Sequence, residues 1–307
     1  MASTGIDRRA LPAGATLTRW AAADGSALRR MALPAADGVA PRGSLLFAGG
    51  RGDFIEKYLE PALHWRGRGW TVSAFDWRGQ GGSRRDEPRG HLDSFDPLVG
   101  DGAALIGDWM GEAPGPHVAV AHSMGGHLLL RILAEHRPPL AAAALVAPML
   151  GFSAGVPPWL GRMLAEAMRL AGRSRRPAWN GAERPGHERQ AILTSCAQRY
   201  ADEQWWKAQQ PSYDLGAPTW GWLAAAYRSM AALDGAALRG ISVPLLILAA
   251  ERDRLVSAAA IRAAASSIPR AQLHVYSDAA HEILRESDPI RLDALARIDR
   301  FLEAAGA

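Results

Sequence analysis

Short apolar runs bounded by turn residues alternate along this chain with longer segments in which apolar positions recur at helical spacing. That alternation predicts an α/β architecture, a mostly parallel sheet with helices on both faces. The runs read as strands at Ser44–Ala48, Trp70–Asp76, His117–His122, Ala141–Ala147, Val243–Ala250 and Gln272–Ser277. Helical patterns fall between and after them at Ile55–Trp65, Leu98–Met110, Met124–His136, Ser257–Ser267 and Pro289–Ala304. In the last of these, Ile290, Ala294, Leu295, Ile298, Phe301 and Leu302 share one stripe, which should pack on the sheet. Thr16–Trp20 and Leu28–Ala32, joined across Asp24-Gly25, read as an antiparallel hairpin at the sheet edge.

The alternation stops once. From Gly151 to about Gly235 no strand is evident, and helical patterns mix with prolines and six of the eleven tryptophans: Trp159, Trp179, Trp205, Trp206, Trp220 and Trp222. Such a segment is too long for a crossover and too apolar for a disordered linker. The expected organisation is a core of residues 1–150 and 236–307 with a helical cap, residues 151–235, inserted after the sixth strand.

At 307 residues the chain can bury about 75% of its unfolded surface without disulfides or metals. With 48% hydrophobic and 21% charged residues it is far from the signature of disorder. Its longest apolar stretch, Leu140 to Leu150, has 11 residues where a spanning helix needs about 20. The first 14 residues, MASTGIDRRALPAG, have basic residues but no apolar stretch behind them, so no secretory signal is read and a cytoplasmic location is expected. Cys196 is the only cysteine, which removes any internal disulfide or cysteine zinc cluster and leaves a small apolar filler as its expected role. The formal net charge is +4, and Arg162 to Arg189 holds seven Arg against Glu166, Glu183 and Glu188, leaving the rest neutral. No basic face with interleaved aromatics and no recognition helix accompanies it elsewhere, so a nucleic-acid partner is not expected.

The strongest chemical signal is Val118-Ala119-Val120-Ala121-His122-Ser123-Met124-Gly125-Gly126-His127. A buried strand here runs directly into a helix through a small-residue turn, the setting that exposes a serine hydroxyl as a nucleophile. Strand and helix backbones pass close together at such a turn, so small residues are needed two positions either side; Gly125 supplies one and Ala121 stands where glycine is usual. A serine needs a base to take its proton, and the base needs an acid to orient it. After Ser123, two expected strands end in Glu251-Arg252-Asp253 and Asp278-Ala279-Ala280-His281, at the sheet edge where ligands bind in open α/β folds. Asp253 is the preferred acid and His281 the preferred base. Glu251 comes one strand position early, Asp278 lies too close to His281 in sequence, and His122 beside the serine is expected to pack or hydrogen-bond. The other histidines, His64, His91, His117, His127, His136, His187 and His274, have no comparable context.

Acyl transfer also requires backbone N–H donors aimed at the developing oxyanion. One is expected from Met124. The second is expected from Gly49-Gly50-Arg51-Gly52-Asp53, whose glycines let the backbone approach a ligand, with the Arg51 N–H as the donor.

Five ordered motifs carry a resemblance: Gly50-Arg51-Gly52-Asp53-Phe54-Ile55-Glu56-Lys57-Tyr58, Phe75-Asp76-Trp77-Arg78-Gly79-Gln80-Gly81-Gly82-Ser83, Ala121-His122-Ser123-Met124-Gly125-Gly126, Ala147-Pro148-Met149-Leu150-Gly151 and His281-Glu282-Ile283-Leu284-Arg285-Glu286. Together with Leu215-Gly216-Ala217-Pro218-Thr219-Trp220-Gly221-Trp222, they resemble the lysophospholipase L2 and monoacylglycerol lipase branch of the α/β-hydrolases, from about Leu45 to Glu303. The resemblance implies a Ser123, Asp253, His281 triad, an oxyanion hole at Arg51 and Met124, and a helical cap over an acyl pocket. Asp76 and Arg78 are expected to hold their loop rather than to react.

The expected function is therefore a serine carboxylic-ester hydrolase acting on single-chain lipids, a lysophospholipid or a monoacylglycerol, with no metal or organic cofactor. A short-chain carboxylesterase or thioesterase is the nearest alternative, and a catalytically silent protein holding a hydrophobic ligand is the alternative from another class. The cap tryptophans suit an acyl chain or a membrane interface, and Arg173-Ser174-Arg175-Arg176 suits anionic head groups or plain solvation, so peripheral membrane contact through the cap is a further expectation.

Overall fold

The computed structural model describes residues 6–84, 89–153, 155–179 and 187–306. Met1–Gly5 of the N-terminal stretch, Glu183 and Arg184 of the basic segment, and the side chain of His187 lie outside the described residues.

Eight strands form one sheet: β1 (Thr16–Ala21), β2 (Ala27–Leu33), β3 (Gly43–Ala48), β4 (Trp70–Phe75), β5 (His117–His122), β6 (Ala142–Val146), β7 (Leu245–Ala250) and β8 (Ala271–Tyr276). Their spatial order is β1-β2-β4-β3-β5-β6-β7-β8. β1 and β2 form the antiparallel hairpin, with Trp20 opposite Leu28 and Gly25 at φ 79° in the turn, and β2 joins β4 antiparallel. From β4 to β8 every pairing is parallel. The middle strands are near-continuous apolar runs because both faces are covered: every residue of β3, β6 and β7 is buried.

The helices are α1 (Leu59–Arg66), α2 (Asp96–Glu112), α3 (Met124–Glu135), α4 (Pro158–Met168), α5 (His187–Leu193), α6 (Ala197–Gln209), α7 (Trp220–Ala232), α8 (Gly235–Arg239), α9 (Ala258–Ser267) and α10 (Asp288–Ala304). Two expected boundaries shift for proline reasons. The pattern at Ile55–Trp65 divides into a tight turn, Ile55–Tyr58, and α1, because Pro61 has no N–H to return to Lys57. β7 begins at Leu245 rather than Val243 because Pro244 cannot donate to the sheet. No helix among the described residues is long and apolar enough to cross a membrane.

Between β6 and β7 the described residues contain no strand of the sheet, only α4 to α8 and short turns. α7 does not simply cover the core: Trp222, Ala225 and Ala226 belong to the main hydrophobic cluster, so its inner face is part of the sheet's own packing. Cys196 is not an apolar filler. It is half-buried before α6, and its sulfur accepts from Arg199 at 3.3 Å.

The topology locates the functional edge. From β3 the chain crosses to β4 on one side, and from β5 it proceeds through β6, β7 and β8 on the other, so the winding reverses between the neighbours β3 and β5. Ligands bind beyond the strand C-termini at such a reversal. The loops there are braced from the β4 side. Asp76 is buried and accepts from Arg29 Nε at 2.7 Å, Ile55 N at 2.9 Å and Gly82 N at 2.7 Å. Burial pushes its carboxyl up to about 6 against the pull of Arg29. Arg78 grips both oxygens of Asp101 at 2.7 Å, and Trp77 Nε1 donates to Gly49 O at 2.8 Å.

Candidate active site

β5 enters α3 through Ser123, which sits at φ 51° and ψ −118°. A non-glycine residue there carries strain of about 1–3 kcal/mol, sustained only because its surroundings fix it. The surroundings are visible. Ser123 N donates to Val146 O at 2.9 Å, and Ser123 O accepts from His127 N at 3.1 Å and Met149 N at 3.0 Å. A Cβ on Gly125 would lie 2.4 Å from Gly49 O and 2.6 Å from Ala48 O, so glycine is required where α3 passes the end of β3. Ala121 is completely buried in the sheet, where a methyl is tolerated.

His281 follows β8 and points back at the serine: its Nε2 lies 2.9 Å from Ser123 Oγ, and its Nδ1 lies 2.6 Å from Asp253 Oδ2. Asp253 follows β7 and is fixed through its other oxygen, which accepts from Leu255 N at 2.8 Å and Val256 N at 2.9 Å. All three side chains are buried. The rival acids are occupied at the surface, where Glu251 pairs with Arg262 and Asp278 with Arg252. His122 hydrogen-bonds away from the serine, its Nδ1 3.0 Å from Asp53 Oδ2 and 2.9 Å from Tyr58 Oη.

Burial alone would lower the His281 pKa, but the charge and hydrogen bond of Asp253, with smaller contributions from Glu282 and Asp53, outweigh it and raise the imidazole above its ordinary 6.5. The converse holds for Asp253. Burial raises it, while His281 and the two backbone donors hold the carboxyl below its usual range.

The loop after β3 packs directly on the serine. A Cβ on Gly50 would lie 2.8 Å from Ser123 Cβ, so only glycine admits this approach. Gly50 N donates to Asp53 Oδ2 at 2.6 Å and Gly52 N to Gln80 Oε1 at 2.5 Å, which fixes the Gly49–Gly50 and Arg51–Gly52 peptides that flank the Arg51 N–H. The Arg51 guanidinium turns outward to Gly216 O at 2.8 Å and lies over the Trp222 ring. Met124 is the first residue of α3, with its N–H at the helix N-terminus.

Sequence reasoning missed a buried ion cluster beside this site. Lys57 Nζ contacts Asp53 at 2.7 Å, Glu203 at 3.1 Å and Glu282 at 2.6 Å, while Arg285 pairs with Glu203 at 2.8 Å and with Glu282. Burial opposes the Lys57 charge, but the three carboxylates prevail and raise its pKa. Such charges persist in the interior only because they are mutually paired. The signal available was Asp53 and Lys57 four residues apart in the first motif; nothing local pointed to Glu203.

Above Ser123 lies a cavity of about 420 Å³, within the ordinary range for small-molecule sites. Its lining includes the apolar and aromatic residues Phe152, Val156, Leu164, Trp179, Trp220 and Tyr227 together with the charged Lys57, Glu203, Lys207 and Arg189. Of the six tryptophans in this region, Trp179, Trp220 and Trp222 line the cavity. Trp159 is 66% exposed, and Trp205 and Trp206 pack together against the N-terminal segment, with Arg9 over Trp205 and Trp206 Nε1 donating to Arg8 O.

A serine on the β5 elbow of a sheet wound in this order, hydrogen-bonded to a histidine after the last strand, defines the class: the protein is a serine hydrolase of the α/β-hydrolase fold. The family model described as serine aminopeptidase, S33 (Hydrolase_4) matches residues 39–288, and the chain belongs to that family. It is 33% identical over 271 residues to the lysophospholipase L2 of Escherichia coli K12, covering 82% of this chain and 78% of that one. It is 29% identical over 267 residues to a probable lysophospholipase L2 of Haemophilus influenzae, covering 86% and 84%. Among solved structures, a soluble variant of the monoglyceride lipase of Saccharomyces cerevisiae superposes with a TM-score of 0.78 at 16% identity, over 99% of this chain and 100% of that one, a likeness of fold. The chain is an esterase or lipase of this fold.

Proposed function

We propose that the protein hydrolyses the acyl ester of single-chain lipids, lysophospholipids or monoacylglycerols, through an acyl-enzyme. The observation that carries this reading is the Asp253–His281–Ser123 hydrogen-bonded series at the floor of a largely apolar cavity. Ser123 Oγ attacks the ester carbonyl as His281 Nε2 takes its proton, and Asp253 holds the ring and offsets the charge it gains. The N–H groups of Arg51 and Met124 receive the oxyanion. His281 returns the proton to the leaving alcohol, and water repeats the sequence on the acyl-enzyme. Residues 151–235 act as a cap supplying the acyl wall, over a core of residues 1–150 and 236–307. A fluorophosphonate probe tests the catalytic reading against a silent binding protein, which would leave Ser123 unlabelled.

Chain length tests the substrate class. Catalytic efficiency on p-nitrophenyl esters should rise from acetate to decanoate, each buried methylene contributing up to ~0.8 kcal/mol. Trp220→Ala should flatten that rise more than it changes acetate hydrolysis. Trp220 is the better probe because Trp222 also packs in the main core, where truncation would cost stability. Equal efficiency on acetate and decanoate would leave a short-chain esterase.

The cavity mouth supports peripheral membrane contact. Val156, Leu164 and Trp179 line the cavity yet are 45%, 50% and 51% exposed, and Trp159, Met163 and Leu170, in the same stretch of chain, are exposed as well. Exposed Arg173, Arg175 and Arg176 adjoin it. An apolar patch bordered by cations suits a lipid surface with anionic head groups. Neutralising the three arginines together should weaken sedimentation with phosphatidylglycerol vesicles, and added salt should do the same by screening. Binding indifferent to both would make the arginines an ordinary solvated face.

A further inference from the structure

The Arg51 N–H belongs to the Gly50–Arg51 peptide, and the peptides before and after it are both gripped by side chains. The one before is held at each end: Gly49 O accepts from Trp77 Nε1 at 2.8 Å, and Gly50 N donates to Asp53 Oδ2 at 2.6 Å. The one after is held by Gln80, whose Oε1 accepts from Gly52 N at 2.5 Å. The other end of the same amide reaches the second donor residue, with Gln80 Nε2 4.0 Å from Met124 Sδ. Gln80 is 6% exposed and stands outside the lining of the cavity. We propose that Gln80 is a positioning residue of the oxyanion hole, which aims the Arg51 N–H by holding Gly52 and does not itself touch the substrate.

The proposal rests on the ester-hydrolase reading, and the need for such a residue follows from the loop's own composition. Gly49, Gly50 and Gly52 surround Arg51. Two of them are imposed by crowding, since a Cβ on Gly49 would lie 2.9 Å from Asp53 Cβ and one on Gly50 2.8 Å from Ser123 Cβ, and Gly52 sits at φ 74°. Glycines that permit this close approach also leave the backbone free to turn. The Gly50–Arg51 peptide has a weak restraint of its own, Gly50 O accepting from Asp53 N at 3.4 Å. A trans peptide carries its N–H opposite its C=O, so any rotation of that carbonyl swings the Arg51 donor by the same angle. Fixing the neighbouring peptides is what prevents it.

Gln80 can serve as an anchor because its own loop is closed. Gln80 N donates to Trp77 O at 3.0 Å, Ser83 N to Gln80 O at 2.9 Å and Gly79 N to Ser83 O at 3.1 Å. Gly81, at φ 48°, lets that loop wrap Asp76, where a Cβ would fall 2.6 Å from the Asp76 carboxyl carbon. The amide also suits the position chemically. It supplies an acceptor for the Gly52 N–H without a charge, whereas a carboxylate would set a negative charge beside the developing oxyanion.

The test compares p-nitrophenyl decanoate with its thionoester, in which sulfur, a weak acceptor, replaces the carbonyl oxygen. The wild type should favour the oxygen ester, because its developing oxyanion draws fully on the backbone donors. Gln80→Met, close in size but without a strong acceptor, should lower kcat on the oxygen ester by about 10²-fold, the scale of one lost oxyanion donor, with KM changed less than about twofold. The thionoester should lose far less, so the preference between the two contracts at least about tenfold. The acid limb of the pH profile should stay in place, since Gln80 is uncharged and bonds Gly52, not His281. Should Gln80→Met not fold, Gln80→Asn, which withdraws the amide by one methylene, must give the same contraction. Equal losses on the two esters, or a rise in KM with kcat retained, would overturn the positioning role and leave the hydrolase reading standing. Cleavage of neither ester by the wild type would overturn the hydrolase reading and the oxyanion hole with it.

Discussion

Ser123→Ala is expected to lower turnover on a decanoate ester by about 10⁶-fold, the scale seen when the nucleophile is removed from a well-dissected serine triad. The acyl-enzyme cannot form without Oγ, and what remains is the contribution of the oxyanion donors and of substrate binding. The fold should be unaffected, because the backbone bonds that fix the elbow, Ser123 N to Val146 O and Met149 N to Ser123 O, do not involve the side chain. A companion substitution separates chemistry from strain. Ser123→Gly relaxes the φ of 51° that alanine retains, so the glycine variant should be more stable than the alanine variant by about 1 kcal/mol after the added unfolded-state entropy is subtracted. In a chain of this size that is about 2 °C in Tm. Activity in Ser123→Ala above a few per cent of wild type would remove Ser123 from the nucleophile's role.

The fold was legible because its signals are local. Each middle strand is a short apolar run ended by a turn, and the elbow is written within ten consecutive residues, so Ser123 could be singled out as a candidate without knowing what lies opposite it. Asp253 and His281 followed from strand ends, because a parallel sheet brings all its C-terminal loops to one edge. The buried ion cluster was not legible for the opposite reason. Glu203 and Lys207, four residues apart on a helix, have the pattern of an ordinary surface pair, and only tertiary packing brings Glu203 to Lys57 and Arg285. The tryptophans between β6 and β7 illustrate the same limit. Composition grouped six of them, but Trp205 and Trp206 face the N-terminal segment, and Trp222 serves the main core as well as the cavity wall. Spacing reports which residues share a helix face; it does not report what that face meets.

Asp253→Asn should lower turnover by about 10⁴-fold with little change in substrate binding, because an amide favours the imidazole tautomer that presents a proton, not a lone pair, to the serine. The pH profile should identify the cause. In the wild type the base must be neutral to accept the serine proton, and Asp253 raises the His281 pKa, so kcat/KM should fall as pH drops through a value above 6.5. Removing the carboxylate removes the largest influence opposing burial and leaves the smaller ones of Glu282 and Asp53, so the His281 pKa should fall and the acid limb should move to lower pH. The deficit of the variant is therefore greatest on the alkaline plateau and narrows toward acid, where wild-type His281 is already protonated and the variant's is not. Asp278 provides the control: it is exposed and paired with Arg252, so Asp278→Asn should leave both the plateau and the limb in place. A larger loss from Asp278→Asn than from Asp253→Asn would assign the orienting carboxylate to the wrong strand end.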